Sequence, residues 1–330
     1  MADILVFAEM LEGELQNSAK ELIQVARKLS GQTDNKASVV LMGPNAIEQA
    51  EMAIQFGAHK VYTMTNREFD DPNPDYYVSA LLNINKIVQP SIILSSKTPM
   101  GKLVAPRLAY RLGVGIAQDC IDVTLDHKTG RVTVTRPVYG GNAIAKFKFS
   151  NNDPQIIVIR ENIFEPLSQD INRTGEVTNL PSGLENFEPK SRFIETIKKP
   201  KEGIQMEDAS VVVGGGRGLG GPEPFKQLED LAHLFGGAVG ASRAVCDAGW
   251  MDHSYQIGLT GKTVSPDLYI TIGISGASQH MAGCSASKTI VAINKDPDAN
   301  IFKTADYGVV GNWEQILPAF TEAVRDLLNG

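Results

Sequence analysis

Cysteine is scarce in this sequence, which has only three in 330 residues. Cys120, Cys246 and Cys284 form no C-x-x-C pair, so iron–sulfur and zinc binding by this chain are disfavoured. An odd number of cysteines also argues against a disulfide framework. We therefore expect three small, buried, apolar thiols in a protein of a reducing compartment.

The sequence also has no long apolar run and no surplus of basic residues. No run approaches the roughly 18 residues of a membrane span, and no charged segment followed by an apolar one opens the chain, so no secretory signal is predicted. A net charge of -7 disfavours binding to nucleic acid or to an anionic membrane. We expect a cytoplasmic protein, or a mitochondrial-matrix protein if a presequence has been removed.

The first part of the chain alternates short apolar segments with amphipathic ones. Residues 15–29 have apolar side chains at the i, i+3, i+4, i+7 spacing of a helix. Apolar strands are predicted at residues 4–7, 38–42, 60–62 and 91–94. This alternation predicts an α/β fold with a parallel sheet covered on both faces.

The pattern changes after residue 120. Residues 131–135, 143–149 and 155–160 are predicted strands without helices between them, which indicates a mixed or antiparallel section. Residues 161–205 have little periodicity and contain four prolines, so we interpret them as the connection between domains. The predicted domains are residues 1–205, with the linker from about 161, and residues 206–330.

Every predicted strand of the second domain ends in a cluster of Gly, Ser, Asn or Asp. The strands are residues 210–213, 238–240, 268–272 and 289–293, with a helix at 225–235. In open α/β sheets, ligands bind beyond the carboxyl ends of the strands. We therefore expect the cofactor site in this domain.

The glycine-rich segment GGGRGLGG at residues 214–221 follows a strand. Gly216, Gly218 and Gly221 fit G-x-G-x-x-G, in which glycine lets the backbone approach a phosphate at a helix N-terminus. No carboxylate follows the second strand, so an NAD site is disfavoured. The alternative is a glycine turn that only packs a helix on a strand.

A second small-residue turn, GISGASQH at residues 273–280, also follows a strand. Ser275, Ser278 and nearby amides suit a pyrophosphate at the start of a helix, with His280 directed back at the cofactor. The alternative is that His280 caps or packs the helix. Two phosphate-type turns in one sheet are more informative than either alone.

Further polar residues lie at the ends of the neighbouring strands. Arg243, next to Ser242, suits a flat anionic ring, or else an ordinary ion pair. Thr260, in the segment QIGLTGK at residues 256–262, suits a ring nitrogen. Asn294 and Asp296 suit a ribose or adenine edge, or else turn capping.

Taken in order, these segments resemble the alpha subunits of electron-transfer flavoproteins. The shared strings are GGRGL, GASR, QIGLTGK, GISGASQH, INKDP and ADYG, with TRPVYGGNA at residues 135–143 in the first domain. The resemblance covers the whole chain and is strongest from about residue 209 to residue 310.

The resemblance implies a nucleotide-binding-like α/β N-terminal domain and a Rossmann-like (DHS-like) C-terminal domain that binds FAD. Arg243 would lie beside the isoalloxazine ring, Thr260 near flavin N5 and His280 near the pyrimidine end. Leu259, often Gln in the family, and Asn312, sometimes an acid, are departures. The implied FAD contacts are Arg217, Ser242, Arg243, Gln256, Ile257, Gly258, Leu259, Thr260, Ser275, Gly276, Ala277, Ser278, Gln279, His280, Asn294, Asp296, Asn312 and Trp313.

The resemblance further implies an electron carrier rather than an enzyme. The first domain would pack on a beta subunit in an obligate heterodimer. Electrons would pass from acyl-CoA or other dehydrogenases, as in fatty acid β-oxidation, to a quinone reductase or a ferredoxin-linked acceptor. Some members carry a second FAD and split the electrons of NADH, which one subunit's sequence does not decide.

Two other classes of function stay open on the residues alone. The first is a stand-alone FAD- or NAD-dependent dehydrogenase with His280 as the acid or base. The second is a non-redox nucleotide-binding scaffold. Residues 96–102 end in Gly-Lys but lack the first glycine and the final Ser/Thr of a P-loop, so a Walker site is rejected.

Overall fold

The computed structural model describes residues 3–31, 35–126, 128–139, 143–150, 152–185, 187–195 and 204–329. The chain divides into two compact units. The first comprises Met1–Pro137 with Ile144–Thr196, and the second comprises Val138–Ala143 with Ile197–Gly330. Residues 140–142 of the TRPVYGGNA segment lie outside the described residues.

The first unit alternates strands and helices along the chain, as the sequence predicts. Its helices are α1 Asn17–Ser30, α2 Ala46–Gln55, α3 Pro74–Val88 and α4 Pro99–Leu112. Its strands are β1 Ile4–Ala8, β2 Met10–Leu11, β3 Glu14–Leu15, β4 Ala37–Met42, β5 Lys60–Met64, β6 Ile92–Ser96, β7 Ile116–Cys120, β8 Asp122–Asp126, β9 Arg131–Val138, β10 Ala143–Lys148, β11 Gln155–Ile159 and β12 Glu176–Asn179.

Seven of these strands form one sheet in the order β12-β5-β4-β1-β6-β11-β7, and all neighbours are parallel. Every residue of β1, β4, β6 and β11 is buried. Strands buried on both faces of a sheet are mostly apolar, which explains the long apolar runs in these segments. The predicted parallel sheet is confirmed.

Two predictions for the second half of this unit are wrong. β11 belongs to the parallel sheet between β6 and β7, and only β8, β9 and β10 form the separate sheet, in which β8 and β9 are antiparallel. The unbroken apolar run of β11 is typical of a central parallel strand. The predicted linker also contains β12, which adds a parallel edge strand beside β5. Its short, mostly exposed sequence gives no periodic signal.

The second unit is a six-stranded parallel sheet in the order β15-β14-β13-β16-β17-β18. Its helices are α5 Phe225–Leu234, α6 Arg243–Asp247, α7 Ser278–Met281 and α8 Trp313–Asn329. Its strands are β13 Val211–Gly215, β14 Ala238–Ser242, β15 Gln256–Ile257, β16 Leu268–Ile272, β17 Thr289–Asn294 and β18 Tyr307–Val310. The chain runs from β13 outwards to β15 and then returns to β16 on the other side of β13. The strand order therefore reverses between β13 and β16.

All three cysteines are buried free thiols, as predicted. Burial raises the pKa of Cys246 to about 11 and those of Cys120 and Cys284 to about 12. Within the described ranges, no helix combines the length and the apolar character that a membrane crossing needs.

Candidate functional site

A cleft of about 820 Å³ opens in the second unit at the carboxyl ends of its strands. It lies where the strand order reverses, the usual ligand position in an open α/β sheet. Its volume is within the roughly 300–1,000 Å³ of small-molecule sites. Its walls are formed by Arg217, Gly218, Ser242, Arg243, Ala244, Asp247, Gln256, Gly258, Leu259, Thr260, Gly273, Ile274, Ser275, Ala277, Gln279, His280, Asn294, Lys295, Asp296 and Ala299.

The cleft collects predicted site residues from the segments that follow β13, β14, β16 and β17 and from the segment 256–262. The predicted residues on its walls are Arg217, Ser242, Arg243, Gln256, Gly258, Leu259, Thr260, Ser275, Ala277, Gln279, His280, Asn294 and Asp296. Ile257, Gly276 and Ser278 do not line it. Asn312 and Trp313 line a smaller adjacent cavity that shares Asn294 and Lys295 with the cleft.

Sequence reasoning missed several wall residues, of which Asp247 and Lys295 carry charge. Lys295 lies between two predicted residues, so its position after β17 was the available signal. Asp247 lies four residues after Arg243, on the same side of a helix. The others are small or apolar, namely Ala244, Gly273, Ile274 and Ala299, whereas Gly218 belongs to the glycine-rich segment singled out in the sequence.

The glycine segment after β13 differs from the predicted phosphate loop. It forms a short 3-10 turn at Arg217–Leu219, and α5 begins only at Phe225. The amides of Gly216 and Gly218 donate to Ile272 O at 2.8 Å and to Gly273 O at 3.1 Å. A Cβ on Gly216 would lie 2.1 Å from Gly273 O. These glycines therefore let two loops touch across the switch point. This is a packing role, but it joins two loops and not a helix and a strand as in the alternative drawn from the sequence.

The helix that follows the second turn, α7, has only four residues. His280 is buried in the cleft wall with both ring nitrogens engaged. Its Nδ1 lies 3.1 Å from Ile257 O and its Nε2 lies 2.9 Å from the Tyr269 hydroxyl. Burial lowers the pKa of His280 to about 4, against the weaker opposing effect of the Ile257 hydrogen bond.

Arg243 begins α6, directly after β14. Its Nε donates to Asp247 Oδ2 at 3.2 Å, and both side chains are more than half exposed. This is the ion pair that the sequence left open as an alternative. It lies in the cleft wall, so the guanidinium is both paired and adjacent to the space that a ligand would occupy.

The remaining predicted polar residues make local hydrogen bonds within the cleft wall. Gln256 Nε2 donates to Thr260 Oγ1 at 3.0 Å, and Asn294 Nδ2 donates to Ile274 O at 2.9 Å. Asn294 Oδ1 and Asp296 Oδ1 each accept a backbone N–H two residues further on, at 3.0 Å. The bonds from Asn294 Oδ1 and Asp296 Oδ1 to the backbone are the turn capping that the sequence offers as an alternative, and they fix the loop after β17.

The donor set of the cleft suits a large anionic dinucleotide. Three cations, Arg217, Arg243 and Lys295, line it against two carboxylates, Asp247 and Asp296. Guanidinium and ammonium groups are the usual partners of phosphate oxygens. Hydroxyl and amide groups at Ser242, Thr260, Ser275, Gln256 and Gln279 offer further hydrogen bonds for sugar hydroxyls and ring edges.

Comparison with known proteins identifies the family. Residues 4–183 match the electron transfer flavoprotein domain, and residues 205–285 match the electron transfer flavoprotein FAD-binding domain. The electron transfer flavoprotein subunit alpha of Thermoanaerobacterium thermosaccharolyticum is 40% identical over 325 residues, covering 98% of each chain. This chain belongs to the alpha-subunit family of electron transfer flavoproteins.

Two further relatives of this electron transfer flavoprotein subunit cover 98% of the chain. One is the electron transfer flavoprotein subunit alpha of Bacillus subtilis, 40% identical over 325 residues and matched over 98% of its own length. The other is the acryloyl-CoA reductase electron transfer subunit beta of Anaerotignum propionicum, 32% identical over 354 residues and matched over 96% of its length.

The family resemblance, the α/β fold and the FAD cofactor predicted from the sequence are thereby confirmed. The chain has the role of an electron transfer flavoprotein alpha subunit, and the stand-alone dehydrogenase alternative is not supported. The FAD-binding match begins at residue 205 and includes the segments after β13, β14 and β16 that line the cleft.

Proposed function

We propose that the cleft of the second unit holds FAD in an extended pose, with the wall residues as its contacts. The observation that carries the proposal is the convergence of loops after β13, β14, β16 and β17 on one cleft with three cations in its walls. When bound, FAD supplies the redox chemistry. The chain binds and orients it and excludes water from part of its surface.

Each wall segment has its own part in this proposal. Arg217 and Lys295 neutralise the pyrophosphate, while the hydroxyls of Ser242 and Ser275 donate to its oxygens or to the sugars. Arg243 is the cation beside the redox-active ring, where a positive charge favours the reduced, anionic form. Thr260 offers its hydroxyl at the ring edge.

The neighbouring cavity extends this site. Asn312 and Trp313 open α8 and share the Asn294–Lys295 wall with the cleft. We place one end of the cofactor there. Leu259, which is 44% exposed, contributes an apolar surface and a backbone N–H already bonded to Gln279 O at 2.7 Å. Its position therefore shapes the cleft without adding a polar side-chain contact.

We propose that the protein works as an electron carrier in an obligate heterodimer with an electron transfer flavoprotein beta subunit. The name of the Anaerotignum propionicum relative supports an acyl-CoA-type oxidoreductase as one electron partner. The other partner would be a quinone reductase or a ferredoxin-linked acceptor. Neither exchange requires a substrate-transforming site in this chain.

The experiment is to co-express the chain with its beta subunit and to record the visible spectrum of the purified complex. Flavin absorbance with FAD released on denaturation is expected. One FAD per heterodimer would indicate a simple carrier, and two would indicate the electron-splitting type. A colourless complex that FAD cannot reconstitute would overturn the proposal.

A matched pair of variants locates the site. Arg217→Ala removes a cation from the cleft wall, so we expect a higher FAD dissociation constant. Arg173→Ala removes a cation from the first unit, where Arg173 pairs with Asp170 at 3.6 Å. Its FAD affinity should equal that of the unmodified complex. Equal loss of FAD from both variants would count against the proposed position.

A further inference from the structure

The imidazole of His280 and the hydroxyl of Tyr269 form a buried pair behind the cleft. Tyr269 is the second residue of β16 and is fully buried, with its hydroxyl 2.9 Å from His280 Nε2. The two rings are stacked, with centroids 6.1 Å apart and planes inclined by 26°. A Cβ on Gly214 would lie 2.4 Å from the Tyr269 hydroxyl. Glycine at that position is therefore what makes room for this contact.

The partners of His280 determine where its proton lies. Nδ1 is 3.1 Å from Ile257 O, and a carbonyl oxygen only accepts, so Nδ1 carries the hydrogen. In the neutral ring Nε2 is then an acceptor, and the Tyr269 O–H donates to it. Burial lowers the pKa of His280 to about 4, which keeps the ring neutral near pH 7.

This pair joins two neighbouring loops that both contribute to the cleft wall. Ile257 belongs to the segment 256–260, and His280 ends the segment 275–280. The segments also touch through the backbone, where Leu259 N donates to Gln279 O at 2.7 Å. His280 adds a side-chain link between them and Tyr269 anchors that link to the central strand β16, so the spacing of the two loops depends on the pair.

We propose that Tyr269 is a positioning residue of the FAD site. Its O–H donates to Nε2 of the tautomer that Ile257 O selects, and this bond holds the ring in place and thereby maintains the spacing of the segments 256–260 and 275–280. Tyr269 does not line the cleft itself. With both ring nitrogens engaged, His280 supports the shape of the wall instead of offering a ring N–H to the cofactor. The choice of FAD as the ligand rests on the proposed function, whereas the tautomer does not.

The first test measures the tautomer directly. The FAD-loaded heterodimer is labelled with 15N-histidine, and the His280 signals are assigned as those lost in His280→Gln. At about pH 7 we expect a protonated Nδ1 and an unprotonated Nε2, without interconversion. A protonated Nε2 in the unmodified complex, or a rapidly averaging mixture of the two tautomers, would overturn the proposal without any variant having to fold.

The second test separates positioning from general stability. Tyr269→Phe removes the hydroxyl and leaves Nε2 without its donor, so we expect the FAD dissociation constant to rise about tenfold and the Nε2 signal to shift. Tyr77→Phe is the control, because it removes a hydroxyl that donates to Phe69 O at 3.0 Å in the first unit. FAD affinity and the His280 signals should be unchanged in that control.

The outcomes also distinguish this proposal from the proposed function. A Tyr269→Phe complex that binds FAD as tightly as the unmodified complex, with unchanged His280 signals, would overturn the positioning role alone. An unmodified complex that binds no FAD would overturn the proposed function, and the tautomer of His280 would still be measured in the colourless protein. If Tyr269→Phe does not fold, the 15N signals of His280 in the unmodified complex test the proposal on their own, because a protonated Nε2 would overturn it.

Discussion

The Thr98 hydroxyl donates to Glu9 Oε1 at 2.5 Å across the point where the strand order of the first sheet reverses. Glu9 follows β1, and Thr98 follows β6 and begins α4, where its Oγ1 accepts from Gly101 N at 2.8 Å. In nucleotide-binding sheets a phosphate takes this place at a helix N-terminus. Here the chain's own carboxyl group is bonded to the residue that caps the helix.

Replacing Glu9 by Gln should change how stability depends on pH. Burial raises the pKa of Glu9 from 4.5 to about 7, against the hydrogen bond from Thr98. A carboxyl whose pKa is higher in the folded chain costs stability when it ionises, so this cost grows as pH rises from about 4.5 to 7. Glu9→Gln should match the unmodified protein at pH 4.5 and exceed it at pH 8, by on the order of 3 kcal/mol. Urea unfolding at both pH values measures the difference.

The control is Glu176→Gln at the edge of the same sheet. Its carboxylate is bonded to Lys60 Nζ at 2.9 Å, which lowers the pKa of Glu176. Ionised Glu176 therefore adds to the stability of the fold, whereas ionised Glu9 reduces it, and Glu176→Gln should gain no stability at pH 8. If the free energy of unfolding of Glu9→Gln depended on pH in the same way as that of the unmodified protein, the pKa of Glu9 would not be raised by folding.

Replacing Asp119 should destabilise the first unit. Arg160 bonds it through Nε and Nη2, both at 2.8 Å, and Lys97 Nζ lies 2.7 Å away. Burial favours the neutral acid, but these two cations hold the pKa of Asp119 at about 2. Asp119→Asn should lower the free energy of unfolding at pH 7 by about 2–3 kcal/mol, measured by urea titration. The deficit should shrink as pH falls from about 4 towards 2, where the aspartate itself becomes protonated.

The backbone conformation of Asp119 provides a control for this prediction. Its φ is +62°, a left-handed conformation that Asn tolerates better than most residues. Asp119→Asn therefore isolates the charge, whereas Asp119→Ala adds backbone strain and should be less stable still. Equal stability of the Asn variant and the unmodified protein would show that the ion network contributes nothing.

Asp247 should tune the potential of the bound FAD through Arg243. Asp247→Asn removes the partner of the guanidinium and one negative charge from the cleft wall, so the potential should rise. Arg243→Ala should lower it. We expect tens of millivolts in each direction, because about 59 mV of one-electron potential corresponds to a tenfold change in equilibrium constant. Redox titration at low salt measures both, and shifts of the same sign would contradict this electrostatic role.

Gly216 should not tolerate even one extra methyl group. Its Cβ would lie 2.1 Å from Gly273 O, so Gly216→Ala must separate the two loops at the switch point. We expect a lower melting temperature and weaker FAD binding. Gly115→Ala is the control, because a Cβ there would lie 4.0 Å from its nearest neighbour, Phe149, which is an ordinary van der Waals distance. Similar effects of both variants would argue against the contact between the loops as the cause.

The sequence predicted most strands of the two parallel sheets, because strands buried on both faces have long apolar runs. It failed at β12, whose exposed residues form an edge strand through backbone bonds that leave no side-chain pattern. It also placed β11 in the wrong sheet, since a run such as Gln155–Ile159 predicts a strand but not its neighbours. Neighbours are set by contacts between distant parts of the chain.

The loops that form the site were predictable from the sequence, but the hydrogen bonds and ion pairs among their side chains were not. Strand-end positions identified most of the cleft wall, including Arg217 and Asn294. The pairing of Arg243 with Asp247, and the burial of His280 against Tyr269, depend on side-chain directions that spacing does not determine. The motif match of Gly216, Gly218 and Gly221 likewise leaves a phosphate loop and a packing turn open, and spacing alone does not show that the missing side chains of Gly214 and Gly216 make room for Tyr269 and Gly273.

The buried thiols make the native chain a convenient background for fluorescent labelling. Only the thiolate reacts readily with maleimides, and with pKa values of about 11 to 12 the three native sulfhydryls are almost entirely protonated at neutral pH. A single cysteine introduced on the surface, for example at the exposed Tyr110, would then carry nearly all of the dye. Distances to a labelled redox partner become accessible without first removing any native cysteine.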